Sequence, residues 1–203
     1  HAVITDMNEV LGSTAGNALE IAEAVRFLRD DVREHRLNEV TLALCAQMLL
    51  VAGVEEELDA AIARCETAVA SGRAAEAFSR MVAALGGPAD FLDRAESYLA
   101  QAPVKRTVHG QGVVSSVDAR AVGNAIIELG GGRRQVGEAL DLAVGFSDIA
   151  PIGTRLDEAM PLAVIHAASE EAAENAEQNL LAAVAIGDAE PAERAVISEI
   201  LTG

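Results

Sequence analysis

The residues Ala2 to Thr5, "AVIT", read as a short apolar strand, and nearly everything from Ala15 to Leu99 reads as helix. That order constrains the fold more than any other feature. A lone strand cannot satisfy its own backbone N–H and C=O groups, and helices packed on it leave its edges unpaired. The expectation is a parallel sheet whose other strands lie elsewhere. On that expectation the chain is the C-terminal part of a longer polypeptide, or one piece of a nicked one.

The helical half is set by period. Ala18, Leu19, Ala22, Val25 and Leu28 recur at helical spacing between Ala15 and Leu28. Asn38 to Leu50 repeats the pattern, with Asn38 as the expected N-cap. Glu55 to Ser71 places Leu58, Ile62, Cys65 and Val69 on one face, and Arg73 to Leu85 follows, stopped by "GGP". A fifth short helix spans about Asp90 to Leu99.

At "QAPVKRTVHGQG" the pattern changes to alternation, with strands over Val104 to Val108 and Val113 to Val117. Asp118 caps a helix from Ala119 to Leu129, which "GGG" terminates. A further helix is expected from about Arg134, a strand over Leu162 to Ala167, and an alanine-rich helix from Glu170 to Ile186. The fold class is therefore α/β plus α+β, with residues 1–102 as one domain and 103–203 as the other.

Composition removes several functions. Fifteen basic residues against 32 acidic give a formal charge of −17, and aromatics make up 2%. Such a surface repels phosphate backbones and offers little to stack on bases, so no nucleic-acid partner is expected. No apolar run reaches the roughly 18 residues needed to cross a bilayer, so no membrane partner is expected either. Cys45 and Cys65 fall in helical patterns without CxxC spacing, which fits buried small residues in a reducing cytoplasm. His1, His35, His109 and His166 are scattered without metal-ligand spacing.

Four short motifs could carry chemistry. Asp6 and Asn8 follow a strand, where open α/β sheets bind ligands, but an Asx-turn accounts for them more simply. "GSTAG" (Gly12 to Gly16) lacks the lysine and glycine order of a phosphate loop, and close loop–helix packing explains it better. "GGGRR" (Gly130 to Arg134) could hold an anion at a helix start, or be a helix cap followed by surface arginines. His109 and His166 have no cysteine or carboxylate at useful spacing and read as structural.

Five blocks, in order, resemble one family. "AVITDMNEVLGSTAGNALEIAEAV" is similar to the "ITDMNxPLGxxxGNALEVxEA" segment of thymidine and pyrimidine nucleoside phosphorylases. "RLNEVTLALCAQML", "GRAAEAFSRMVAALGGPADFL", "VDARAVGNAIIELGGGRRQ" and "VGFSDIAPIGTRLDEAMPLAVIHA" resemble later blocks, to about Ala167. The resemblance implies reversible phosphorolysis of a pyrimidine nucleoside to base and (deoxy)ribose 1-phosphate. It implies the late part of a mixed or parallel-sheet α/β domain, followed by an α+β domain of the barrel-sandwich, hammerhead-like type.

The same resemblance implies a homodimeric, cytoplasmic enzyme with phosphate as co-substrate. It implies a structural monovalent cation (potassium) held by the carbonyls of Leu11 and Thr14 and the carboxylate of Glu23. Hard oxygen donors of this kind suit such an ion. The family's phosphate loop and its base-holding arginine, serine and lysine belong to the N-terminal half of the subunit and have no counterpart here, so no catalytic residue is carried over. The chain alone is expected to be inactive, with that half as its partner. Two other readings exist. A barrel-sandwich carrier module would need a lysine at a hairpin tip, whereas Lys105, the sole lysine, begins a strand. A related nucleotide phosphorylase or phosphoribosyltransferase would differ in pocket residues outside these blocks.

Overall fold

The computed structural model describes residues 1–202. The chain divides into two compact units that interleave along the sequence. The first unit comprises His1–Asp6, Ala24–Tyr98 and the segment from Arg194 onward; the second comprises Met7–Glu23 and Leu99–Glu193.

In the first unit, strand β1 (Ala2–Thr5) lies where its apolar run places it. Its partner is β8 (Ile197–Leu201), antiparallel, with Ala2 opposite Leu201 and Ile4 opposite Glu199. The Asp6 N–H donates to the Val196 carbonyl at 2.8 Å and extends the ribbon. This corrects the expected parallel neighbour: the strand beside β1 comes from "ISEIL" near the other end of the chain. Half-exposed and only five residues long, that stretch has no core-strand signature.

Helix α1 (Asn17–Leu28) enters this unit at Ala24, and four more helices follow: α2 (His35–Val51), α3 (Leu58–Ala70), α4 (Arg73–Ala84) and α5 (Phe91–Tyr98). Asn38 is not the cap of α2. The Glu34 side chain accepts from the Leu37 N–H at 2.8 Å, so Glu34 is the cap and the helix starts at His35. The buried Arg36 on α2 clasps the end of β1, its Nη2 donating to the Asp6 carbonyl at 2.9 Å and its Nη1 lying 3.5 Å from the Asp6 carboxylate. Helices α2 and α3 pack together, with Ala46 and Ala61 fully buried.

The second unit holds two three-stranded antiparallel sheets. One has the order β2 (Val104–Val108), β6 (Ala163–Ala167), β4 (Gly145–Ser147); the other has β5 (Arg155–Leu156), β3 (Gly112–Val117), β7 (Val184–Gly187). The strands either side of "HGQG" therefore lie in different sheets. Val108, Val114, Phe146, Leu156, Ile165 and Leu180 fill the core and are almost completely removed from solvent. Each such side chain contributes about 1.5–3 kcal/mol by its burial.

Helix α6 (Ala119–Leu129) begins where Asp118 accepts from the Ala121 N–H and ends at Gly130 in the left-handed conformation, as the sequence implies. Helix α7 (Glu170–Ala183), capped by Ser169, packs on α6 and on β6. Two expected helices change. No helix starts at Arg134; there the Glu138 carboxylate accepts the Arg134 and Gln135 N–H groups and closes a turn. Helix α7 stops at Ala183 because Val184 to Gly187 leave it to pair with β3, where β-branched Val184 and Ile186 suit a strand. The result is mixed helix and sheet with small antiparallel sheets.

Candidate functional site

The segment Met7–Glu23 is built into the second unit by its backbone. Ala15 and Phe146 exchange two hydrogen bonds, at 2.9 and 2.8 Å, and the Ile149 N–H donates to the Ser13 carbonyl at 2.9 Å. The Ala18 N–H reaches the Leu142 carbonyl, and Asn17 Nδ2 donates to the Gly131 carbonyl at 2.8 Å. Upstream, the buried carboxylate of Glu9 accepts the Ile152 N–H at 2.8 Å. Glu9 carries no motif signal; only its burial singles it out.

Within this segment the chain folds around one carboxylate. Glu23 on α1 is buried, and its Oε1 accepts both the N–H and the hydroxyl of Ser13, each at 2.7 Å. Its Oε2 accepts the Thr14 hydroxyl at 2.6 Å. Gly12 lies so close to the Glu23 carboxylate that a β-carbon there would overlap it. A carboxylate has about four lone-pair positions, so three accepted bonds leave room for about one further partner.

The structure thus brings Thr14 and Glu23 into direct contact, while the Leu11 side chain is substantially exposed. Thr14 turns its hydroxyl onto Glu23, and a cation would take the backbone carbonyls of Leu11 and Thr14 beside that carboxylate. The donor types fit a hard cation. Among the described residues no group of three or more His, Cys, Asp or Glu side chains is placed to hold a metal. Two carbonyls and one carboxylate position amount to about half of the six to eight oxygens such ions commonly take.

The other sequence candidates resolve as follows. Asp6 is occupied by Arg36, and Asn8 is exposed. Glycines of "GSTAG" serve close packing, as expected. "GGGRR" loses its anion argument because no helix begins at Arg134, and both arginines are exposed. His109 is exposed beyond the end of β2. Lys105 stands opposite His166 in the β2–β6 register, within a strand and not at a hairpin tip.

His166 makes a contact that resembles a catalytic pair, with Nε2 2.9 Å from Ser147 Oγ. The Ser147 hydroxyl, however, donates to Asp148 Oδ2 at 2.9 Å. His166 must then supply the proton to Ser147, so it cannot act there as a base, and the set is a structural relay. Burial, with a smaller push from Lys105, holds the His166 imidazole below its usual 6.5 against the opposing pull of Asp148. A group with a depressed folded-state pKa supports the fold fully above its unfolded value, and that support is lost as pH falls towards the folded one. Unfolding free energy should therefore decline as pH drops below about 6.5, and His166→Gln should flatten that slope in denaturant titrations at stepped pH.

A polar groove of about 480 Å³ lies between α6 and α7, lined among others by Glu128, Arg134, Asn175, Gln178 and Asn179. Glu128 already accepts from Asn179 Nδ2 at 2.6 Å across it. None of the residues lining the groove belongs to the Met7–Glu23 segment.

Residues 113–187 match the family model described as the pyrimidine nucleoside phosphorylase C-terminal domain. That stretch is similar to the C-terminal domain of those phosphorylases. In the structure the matched stretch runs from β3 to β7, and those two end strands pair with each other. The matched stretch also contains residues that receive the Met7–Glu23 segment: Gly131, Leu142, Phe146, Ile149 and Ile152. Among the described residues no helix is long and apolar enough to cross a membrane.

Proposed function

We propose that this chain is the C-terminal portion of a pyrimidine nucleoside phosphorylase, an enzyme that cleaves thymidine or another pyrimidine nucleoside with phosphate to give base and (2-deoxy)ribose 1-phosphate. The observation that carries the reading is the match of residues 113–187 to that family's C-terminal domain. The order of the sequence blocks that precede the match supports it.

In such a reaction the sugar C1′–N bond breaks as phosphate oxygen closes on C1′, and the departing base takes up negative charge. Catalysis needs phosphate positioned behind the sugar and donors aimed at the base. The chain offers neither a phosphate cradle nor a base-holding arginine–serine–lysine set. On this reading those groups come from an N-terminal half of the subunit. This chain would close the site and brace it, in a cytoplasmic homodimer whose C-terminal domain is of the barrel-sandwich type.

The Leu11 and Thr14 carbonyls and Glu23 would supply part of the shell of a monovalent cation, with the remaining oxygens from that half. The ion would add fixed positive charge near phosphate. What this chain's residues do is hold the loop: Ser13 and Thr14 anchor Glu23, and the Ala15–Phe146 exchange fixes the backbone that presents the carbonyls. Two features of the first unit are compatible with that half packing on it. Leu44, Met48 and Val51 form an exposed apolar stripe on α2, and among the described residues β1 pairs on one edge only.

The purified chain should show no thymidine phosphorolysis. Phosphate-dependent release of thymine by residues 1–203 alone, at rates above a heat-denatured control, would refute this account.

A further inference from the structure

Helices α6 and α7 run antiparallel, since the Asp118 N–H at the start of α6 donates to the Ala183 carbonyl at the end of α7, at 2.8 Å. The groove of about 480 Å³ between them has an apolar floor and polar walls. Ala125 and Ala176 lie at its base, each 2% exposed. Along the α7 wall the exposed side chains of Glu171, Asn175 and Gln178 follow one another about a turn apart. Glu128 on α6, and Arg134 beyond its end, stand on the other side.

The walls select by hydrogen bonding. Carboxylates only accept, a guanidinium only donates, and primary amides do both. The bond from Asn179 Nδ2 to Glu128 Oε2, at 2.6 Å, orients that carboxylate and that amide. Two carboxylates against one guanidinium oppose an anion, and Arg134 opposes a polycation. Among the described residues no aromatic ring lines the groove, so a planar base has no ring to stack on. An uncharged hydroxyl both donates and accepts, so a ligand carrying several of them meets every kind of wall group at once.

We propose that this groove is a binding site for a short, uncharged sugar of one or two rings. Its hydroxyls donate to Glu128 and Glu171, accept from Arg134, and do both with Asn175 and Gln178. The C–H face of a ring rests on the alanine floor, and the volume falls within the range of small-molecule sites. Water competes for every exposed wall group, so the dissociation constant is on the order of 1 mM. Such a site is separate from the Glu23 loop, and its occupancy does not depend on phosphorolysis.

The test uses the whole chain, isotope-labelled and titrated with maltose and with glucose while its amide spectrum is recorded. The expected result is saturable shifts in the side-chain amide resonances of Asn175, Gln178 and Asn179, with saturation transfer from protein to sugar. Asn175→Ala and Gln178→Ala, both at exposed positions, should each weaken binding about tenfold. Arg133→Gln, whose side chain does not line the groove, should leave it unchanged. Absence of saturable shifts with both sugars would overturn the proposal. So would unchanged affinity in both amide variants, shifts spread over the whole surface, or tighter binding of spermidine or inorganic phosphate at the same residues.

Discussion

Gly16→Ala is expected to lower the unfolding free energy by about 2–4 kcal/mol, from backbone strain near 1–3 kcal/mol and loss of one or two backbone hydrogen bonds. Gly16 sits at φ +137°, where L residues are rarely found, and an added β-carbon would lie 2.5 Å from the Val144 carbonyl oxygen. The crossing is reciprocal. Gly145, at φ +148°, faces the backbone of Ala15 and Gly16 with no room for a side chain. Between these two glycines runs the Ala15–Phe146 exchange that docks the Met7–Glu23 segment. Gly137→Ala is the control, since Gly137 also has positive φ but nothing within 4 Å of an added β-carbon. It should cost only about 1 kcal/mol. Urea titration compares the two, and equal costs would remove the backbone crossing from the account.

Glu23→Ala is expected to cost about 3–5 kcal/mol, because it strands three donors that now share one buried carboxylate. Glu23→Gln keeps a carbonyl acceptor in the same place and should lose about half as much. The readout that separates a loop clasp from general core damage is amide hydrogen exchange. The Ser13 N–H should exchange many-fold faster in Glu23→Ala, while Val114 and Ile165, deep in the sheets, shift only with global stability. Unchanged protection at Ser13 would mean that Glu23 does not hold the loop.

Much of the architecture was legible where the signal is local. Asp118 and Gly130 bound α6 as their chemistry dictates, and β2 and β6 fall on alternating apolar runs. The elements that escaped are short and set by distant partners. Strand β5 has two residues and β4 three, and neither has a period to read. Strand β7 hides at the end of an alanine-rich helical pattern and becomes a strand only because β3 is beside it. The same holds for β8, whose partner is 194 residues away in the Ser198–Ile4 contact.

The candidate site divides along the same line. Glu23, Leu11 and Thr14 were named through resemblance to a family block, and the structure adds what that block could not state. Ser13 and Thr14 close on Glu23 through their hydroxyls, and Gly12 is small because the carboxylate occupies its side-chain space. Glu9 gave no sequence signal at all. It depends on Ile152, which folding brings to it from a separate part of the chain.

The central claim is that this chain completes a pyrimidine nucleoside phosphorylase without supplying its reacting groups. Co-expression with the N-terminal half of a phosphorylase of that family, followed by purification of the pair, tests it directly. The measurement is thymine release from thymidine with and without phosphate. The account predicts phosphate-dependent release by the pair, none by either part alone, and loss of activity when Glu23→Ala replaces the native chain. A pair that assembles stably yet releases no base from any pyrimidine nucleoside would contradict it.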